Sequence, residues 1–187
     1  MISHTHNFIF IHIPKTGGSS VDYMLKKYVR RWVLHEYLYP DAVYKAQKRN
    51  GFKNYFSFCF VRNPWDKIVS QYHFNREKFG MENYTFEEYV HAFNEGKRIS
   101  WFNPDFLSWM TDDEGNMLMD FVGRFEKLQE DFDYVCDQIK IPKQELPHYV
   151  KTEDRLHYTE YYNQETQQII ADNYANDIKY FNYEFGI

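Results

Sequence analysis

The sequence predicts an α/β protein with a central parallel sheet flanked by helices, as a single domain over residues 1–187. Three observations predict it. Short runs rich in β-branched and aromatic residues alternate with stretches of helical periodicity, the pattern that parallel strands and their crossover helices produce. A tight turn carrying two glycines, PKTGGSS, stands directly between the first apolar run and the first helical stretch. A later run, NYFSFCFV, passes straight into Arg62, Asn63 and Pro64, and a proline suits the first position of a helix.

Taken in order, Phe8–Ile13 is short, apolar and β-branched, as a buried parallel strand is. Val21, Met24, Leu25, Tyr28, Val29 and Trp32 then recur at helical spacing, which puts Gly17 to Ser20 at a helix N-terminus with serines available as caps. Trp32–His35 reads as a second strand, ahead of a helical stretch near Asp41–Arg49. Asn54–Val61 is the third and clearest strand, and the helix after it carries Trp65, Ile68, Val69 and Tyr72 on one side. Helices are expected over Thr85–Glu95, part of Asn103–Met110, Lys127–Ile139 and Gln164–Phe181, with one more strand within Leu118–Gly123. In the last helix, Ile169, Ile170, Tyr174, Ile178 and Phe181 form a stripe that reads as core. Sheets of this kind gather ligands at the carboxyl ends of their strands, so Pro14–Ser20, His35 and Arg62 are expected on one rim.

Composition narrows the partners. Hydrophobic residues at 43% and aromatics at 20% are ample for one packed core. No run reaches the ~20 apolar residues of a membrane helix, and the N-terminus has no signal-peptide pattern, so the expectation is a soluble, cytoplasmic protein without a membrane span. Cys59 and Cys136 are too few for a disulfide framework and read as buried thiols. The net charge of −5 hides an asymmetry: residues 1–80 hold 13 Lys+Arg against 5 Asp+Glu, and residues 81–187 hold 9 against 22. A basic first half points to an anionic ligand, and without a dense basic run that ligand is a small anion and not a nucleic acid.

The turn has the chemistry for such an anion. Its glycines let backbone N–H groups approach, a helix end supplies positive potential, and hydroxyls and Lys15 add donors. This makes the sheet P-loop-like, yet the turn is not a Walker A loop, which places its lysine after the second glycine and beside a metal-binding Ser/Thr. Lys15 precedes both glycines. Farther on, in VRNPWDKIVSQY, Arg62 ends a strand and Ser70 stands two turns into the following helix, a guanidinium fork and a hydroxyl for one phosphate, although a salt bridge to the helix face is the better explanation of Arg62 taken alone. Arg124 either supports a ligand or pairs with Glu126, and Trp101, Phe102 and Trp109 form either a stacking surface or core. His12 reads as a core histidine, and His4, His6, His73, His91 and His157 lack metal-ligand spacing.

Together, PKTGGSS after a first strand and FVRNPWDKIVSQY after a third resemble the two nucleotide-binding signatures of sulfotransferases that use 3′-phosphoadenosine-5′-phosphosulfate. The resemblance is closest to the branch of the membrane-bound carbohydrate sulfotransferases and their soluble bacterial relatives. FVGRFEKLQEDFDYVC, LPHYVKT and YYNQETQQIIADNYANDIKYFNYEF resemble the later blocks of that branch in the same order, which leaves residues 81–117 the least matched.

The resemblance implies a role for each matched residue. Lys15, Thr16, Gly17, Gly18, Ser19 and Ser20 bind the 5′-phosphosulfate, with Lys15 beside the bridging oxygen. Arg62 and Ser70 hold the 3′-phosphate, and Lys151 contacts the nucleotide from the far side. His35, with Glu36 as the alternative, is the general base; an imidazole titrating near neutrality suits that task. The implied reaction is in-line transfer of a sulfuryl group to a hydroxyl acceptor, a carbohydrate or glycolipid, with adenosine 3′,5′-bisphosphate as product and no metal required. Two alternatives stay open on the residues themselves: an ATP-dependent small-molecule kinase and a non-catalytic nucleotide-binding module.

Overall fold

The computed structural model describes residues 1–29, 54–97, 105–147 and 155–187. The expected strand Trp32–His35 and the helix near Asp41–Arg49 lie outside the described residues. By its internal contacts the chain divides into two compact units, residues 1–61 with 106–151 and residues 62–105 with 152–187.

The first unit holds a four-stranded sheet in the order β1 (Ile2–Ser3), β2 (Phe8–Ile11), β3 (Phe56–Val61), β4 (Phe121–Arg124). β2, β3 and β4 are mutually parallel, with Ile11 opposite Cys59 and Val61 opposite Arg124, so the α/β class is as expected. β1 is an antiparallel addition too short to leave a periodic signal. β2 ends two residues before the apolar run does, because Ile13 N–H donates to Ile11 O at 3.1 Å and bends the chain. β4 starts later than the apolar pattern. Leu118 N–H is engaged by Met110 O, and Asp120 tethers the strand start, its carboxylate accepting from Ser57 N–H at 2.7 Å and Ser57 Oγ at 2.8 Å.

Both faces of β2 and β3 are buried, which is why their sequences do not alternate. On one face Phe8, Phe10, Phe58 and Phe60 pack with α1 (Gly18–Leu25) and α4 (Leu128–Ile139), through Val21, Met24, Leu25, Phe132, Val135, Cys136 and Ile139. Phe10 and Phe58 stack at 5.1 Å. Gly123 is required there: a Cβ would lie 2.5 Å from Phe60 Cε1 and 3.1 Å from Asp131 Cβ. Helix α1 is shorter than the spacing to Trp32 suggests, passing into a 3₁₀ turn at Lys26–Tyr28 and extended backbone at Val29. Part of Asn103–Met110 is expected to be helical, and among the described residues that part is Leu107–Trp109, again as a 3₁₀ turn.

The second unit is helical: α2 (Pro64–Phe79), α3 (Phe86–Asn94), α5 (Gln164–Asn173) and α6 (Ala175–Phe181). Three of these four starts are chemically marked. Asn63 Oδ1 accepts from Trp65 and Asp66 N–H ahead of Pro64, and Thr85–Glu88 and Asn163–Thr166 close capping boxes on α3 and α5. The predicted single helix Gln164–Phe181 breaks at Tyr174, with no glycine or proline to announce it. Tyr174 is pinned there by tertiary contacts, accepting from buried Lys67 Nζ at 2.7 Å and stacking on Phe93 at 6.4 Å. Of the C-terminal stripe expected as core, Ile170, Tyr174 and Phe181 are buried, while Ile169 and Ile178 are half-buried. No helix among the described residues is long and apolar enough to cross a membrane.

Candidate functional site

In the first unit, the turn at Pro14–Ser20 runs from the carboxyl end of β2 into α1. Its backbone changes hand at each step: Lys15 and Gly17 have φ of 68° and 83°, and Thr16 between them is not in the left-handed region. Turns that alternate in this way let successive N–H groups converge on one concavity. Left-handed backbone costs a lysine about 1–2 kcal/mol, so its surroundings hold Lys15 there. Thr16 is buried, and its hydroxyl closes the turn from within by donating to Ile13 O at 2.8 Å. The donor Thr16 offers an anion is therefore its main-chain N–H. Ser20 N–H turns back to Gly17 O at 3.0 Å, while Ser19 is exposed and Lys15 half-buried. The first amides of α1 have no intrahelical partner, and the positive end of its dipole faces the turn.

Gly18 is a packing glycine. A Cβ would lie 2.2 Å from His12 Cδ2 and 2.4 Å from His12 Nε2. His12 itself is fixed, its Nδ1 2.7 Å from Asp22 Oδ2. His12 therefore differs from a plain core histidine: its side chain is 23% exposed and its partner is a buried carboxylate. Asp22 is the one acid between Pro14 and Leu25, and His12 engages it. The donor set of the turn is thus cationic and N–H-rich, which suits a phosphate group.

In the second unit, Arg62 precedes α2 and is 6% exposed. Its Nε donates to Asp66 Oδ2 at 2.6 Å, the salt bridge weighed from sequence. Arg62, Asp66 and Ser70 follow one another at i, i+4 spacing, so they share a face, with Ser70 half-buried. Asp66 Oδ1 accepts from Arg155, which also donates to the Asp66 carbonyl at 3.3 Å. Sequence reasoning did not find Arg155, whose partner is 89 residues away. The one available sign was an acid four residues after Arg62 at a helix start. One turn beyond Ser70, His73 lies 2.8 Å from Tyr161 Oη, and its pKa is lowered by burial first and then by the positive charges of Arg155 and Arg76.

Lys67 was not anticipated either. It is buried on α2 with Tyr174 and Asp177, and burial lowers its pKa to about 7 against the pull of Asp177 and Asp105.

His35, Glu36, Lys151, Trp101 and Phe102 lie outside the described residues. Trp109 is buried. Arg124 N–H donates to Asp131 at 2.6 Å. Cys59 and Cys136 are free and buried, as expected; burial raises both thiol pKa values, that of Cys136 to about 11. One group of potential metal ligands converges among the described residues, Glu87, His91 and Glu165 within 4.8 Å, and its two carboxylates are solvent-exposed.

Comparison with known proteins places these features in context. The sequence model of the sulfotransferase family matches residues 1–184. An uncharacterized protein of Archaeoglobus fulgidus is 34% identical over 50% of this chain and 74% of its own. Carbohydrate sulfotransferase 14 of Danio rerio is 21% identical over 84% of this chain and 54% of its own, and that of Homo sapiens 25% identical over 76% and 46%. The chain thus spans about half the length of these carbohydrate sulfotransferases. Among solved structures, a sulfotransferase from Alicyclobacillus acidocaldarius aligns over 97% of this chain and 83% of its own, at 16% identity and a TM-score of 0.43.

Proposed function

Because this chain belongs to the sulfotransferase family, we propose that it transfers a sulfuryl group from 3′-phosphoadenosine-5′-phosphosulfate to a hydroxyl acceptor, a carbohydrate or glycolipid. The observation that carries the donor assignment is the turn Pro14–Ser20. Lys15 and Gly17 hold left-handed backbone in front of the α1 N-terminus, and Asp22, the one acid of the stretch Pro14–Leu25, is engaged by His12. Such a donor set fits a phosphate group, and the hydroxyl of Thr16, which follows Lys15, donates to Ile13 O. The carbohydrate acceptor is supported by the names of the human and zebrafish relatives. Two free, buried cysteines support a reducing compartment, the cytoplasm.

When bound, the donor supplies an activated sulfuryl group. Lys15, the amides of Thr16, Gly17 and Gly18, and Ser19 and Ser20 orient its 5′-phosphosulfate end. Lys15 also sets an ammonium where negative charge grows on the departing nucleotide, and charge stabilised more in the transition state than in the ground state lowers the barrier. Arg62 and Ser70 hold the 3′-phosphate, Lys151 adds a contact, and His35 receives the acceptor proton.

The test is a binding panel followed by an acceptor screen. Adenosine 3′,5′-bisphosphate is expected to bind in preference to ATP with Mg²⁺, and donor-dependent sulfation of a sugar hydroxyl is read by mass spectrometry. Lys15→Ala is expected to lower turnover by about 10²–10³-fold while leaving the protein folded. Preference for ATP–Mg²⁺ refutes the reading in favour of a kinase. Donor binding without transfer to any acceptor points to a binding module instead.

A further inference from the structure

Asp66 ties together two guanidiniums that the sequence keeps far apart. Its Oδ2 accepts from Arg62 Nε at 2.6 Å, and its Oδ1 accepts from Arg155. All three side chains are largely buried, at 7%, 16% and 18% exposure for Arg62, Asp66 and Arg155. Among the described residues Arg155 has no other anionic partner, and its Nε is buried without a hydrogen bond. It therefore shares its one counter-ion with another arginine. A desolvated guanidinium with an unused N–H favours a further acceptor. The Arg155 charge reaches along α2: after burial it is the largest cause of the lowered pKa of His73. Ser70 lies on α2 between Asp66 and His73, on the face that follows Arg62 and Asp66.

We propose that Arg155 is a second guanidinium for the nucleotide phosphate assigned to Arg62 and Ser70, and that Asp66 is the positioning residue that orients both arginines. It rests on the assignment of Arg62 and Ser70 to a 3′-phosphate. The carboxylate fixes one edge of each guanidinium, which limits the rotamers either arginine must give up on binding. Arginine is suited to this double duty because its planar fork can serve an internal carboxylate and an external phosphate from different edges. Asp66 lies within FVRNPWDKIVSQY, but Arg155 lies outside every stretch that carries the family resemblance, so the pairing of the two is visible only in the folded chain.

The experiment measures, by calorimetry, the ratio of affinities for adenosine 3′,5′-bisphosphate and adenosine 5′-phosphate. The proteins are the wild type, Arg62→Ala, Arg155→Gln, Arg155→Lys and Asp66→Asn. The wild type is expected to prefer the bisphosphate. Arg155→Gln is expected to reduce that preference about ten- to a hundredfold with the 5′-phosphate affinity little changed, and Arg155→Lys to restore part of it. Asp66→Asn keeps the shape of the side chain and is expected to reduce the preference as well. If the wild type and Arg62→Ala show the same preference, the underlying assignment fails. If Arg62→Ala loses the preference while Arg155→Gln keeps it, the role given to Arg155 is overturned. If Asp66→Asn tightens bisphosphate binding, Asp66 competes with the ligand and is not a positioning residue. Unchanged 5′-phosphate affinity in each variant certifies that it is folded.

Discussion

Replacing Gly18 by alanine tests how the turn is held against the strand beneath it. The added methyl would sit 2.2 Å from His12 Cδ2 and 2.4 Å from Nε2, more than an ångström inside van der Waals contact at about 3.5–4.0 Å. The ring cannot simply rotate away. Its Nδ1 is tied to buried Asp22 at 2.7 Å, and Phe10 stacks beside it at 5.9 Å. Either α1 lifts from the sheet, at the usual overpacking cost of about 1–3 kcal/mol, or His12 moves and gives up a charge-assisted hydrogen bond of about 1.5–3 kcal/mol. Both routes converge on roughly 2 kcal/mol, or about 4–8 °C in Tm for a chain of this length. The assay is urea unfolding of Gly18→Ala, His12→Ala and the double variant. If the imidazole is the obstacle, alanine at position 18 costs much less in the His12→Ala background, with a coupling of about 0.5–3 kcal/mol. Equal costs in the two backgrounds, or a Gly18→Ala protein as stable as the wild type, would refute this account of the turn.

Two further outcomes follow from the packing. Gly123→Ala places a methyl 2.5 Å from Phe60 Cε1, with Asp131 Cβ behind it at 3.1 Å, and should lower stability by about 1–3 kcal/mol in the same assay. Lys67 gives a pH dependence: its pKa is about 7 in the folded protein and 10.5 in the ordinary state. Between those values the unfolded chain binds the extra proton, so this side chain's contribution to stability rises with pH over that window. The urea midpoint of the wild type minus that of Lys67→Met is therefore expected to increase from about pH 7 to about pH 9, and a flat difference would show that Lys67 stays charged when buried.

Much of the architecture is legible in the chain because it is local. The β-branched and aromatic runs at Phe8 and Phe56 specify strands buried on both faces, and Asn63–Pro64, Thr85–Glu88 and Asn163–Thr166 mark helix starts through bonds spanning a few residues. The turn Pro14–Ser20 is local too, since a strand, two glycines and a helix end are contiguous. What local signals cannot carry is a partner distant in sequence. The break at Tyr174 comes from Lys67 and Phe93, and the late start of β4 comes from Ser57.

The sequence by itself determined the parallel α/β plan and the position of the turn at Pro14–Ser20, with Arg62 at a strand end and Ser70 in the helix that follows. Only the tertiary structure decided that Gly18 is a glycine for the sake of His12, that Lys67 is buried, and that Asp66 joins Arg62 to Arg155. The reason is the range of the forces involved. Backbone propensity and capping act within a turn or two of chain, whereas burial and ion pairing depend on which distant residues folding brings into contact.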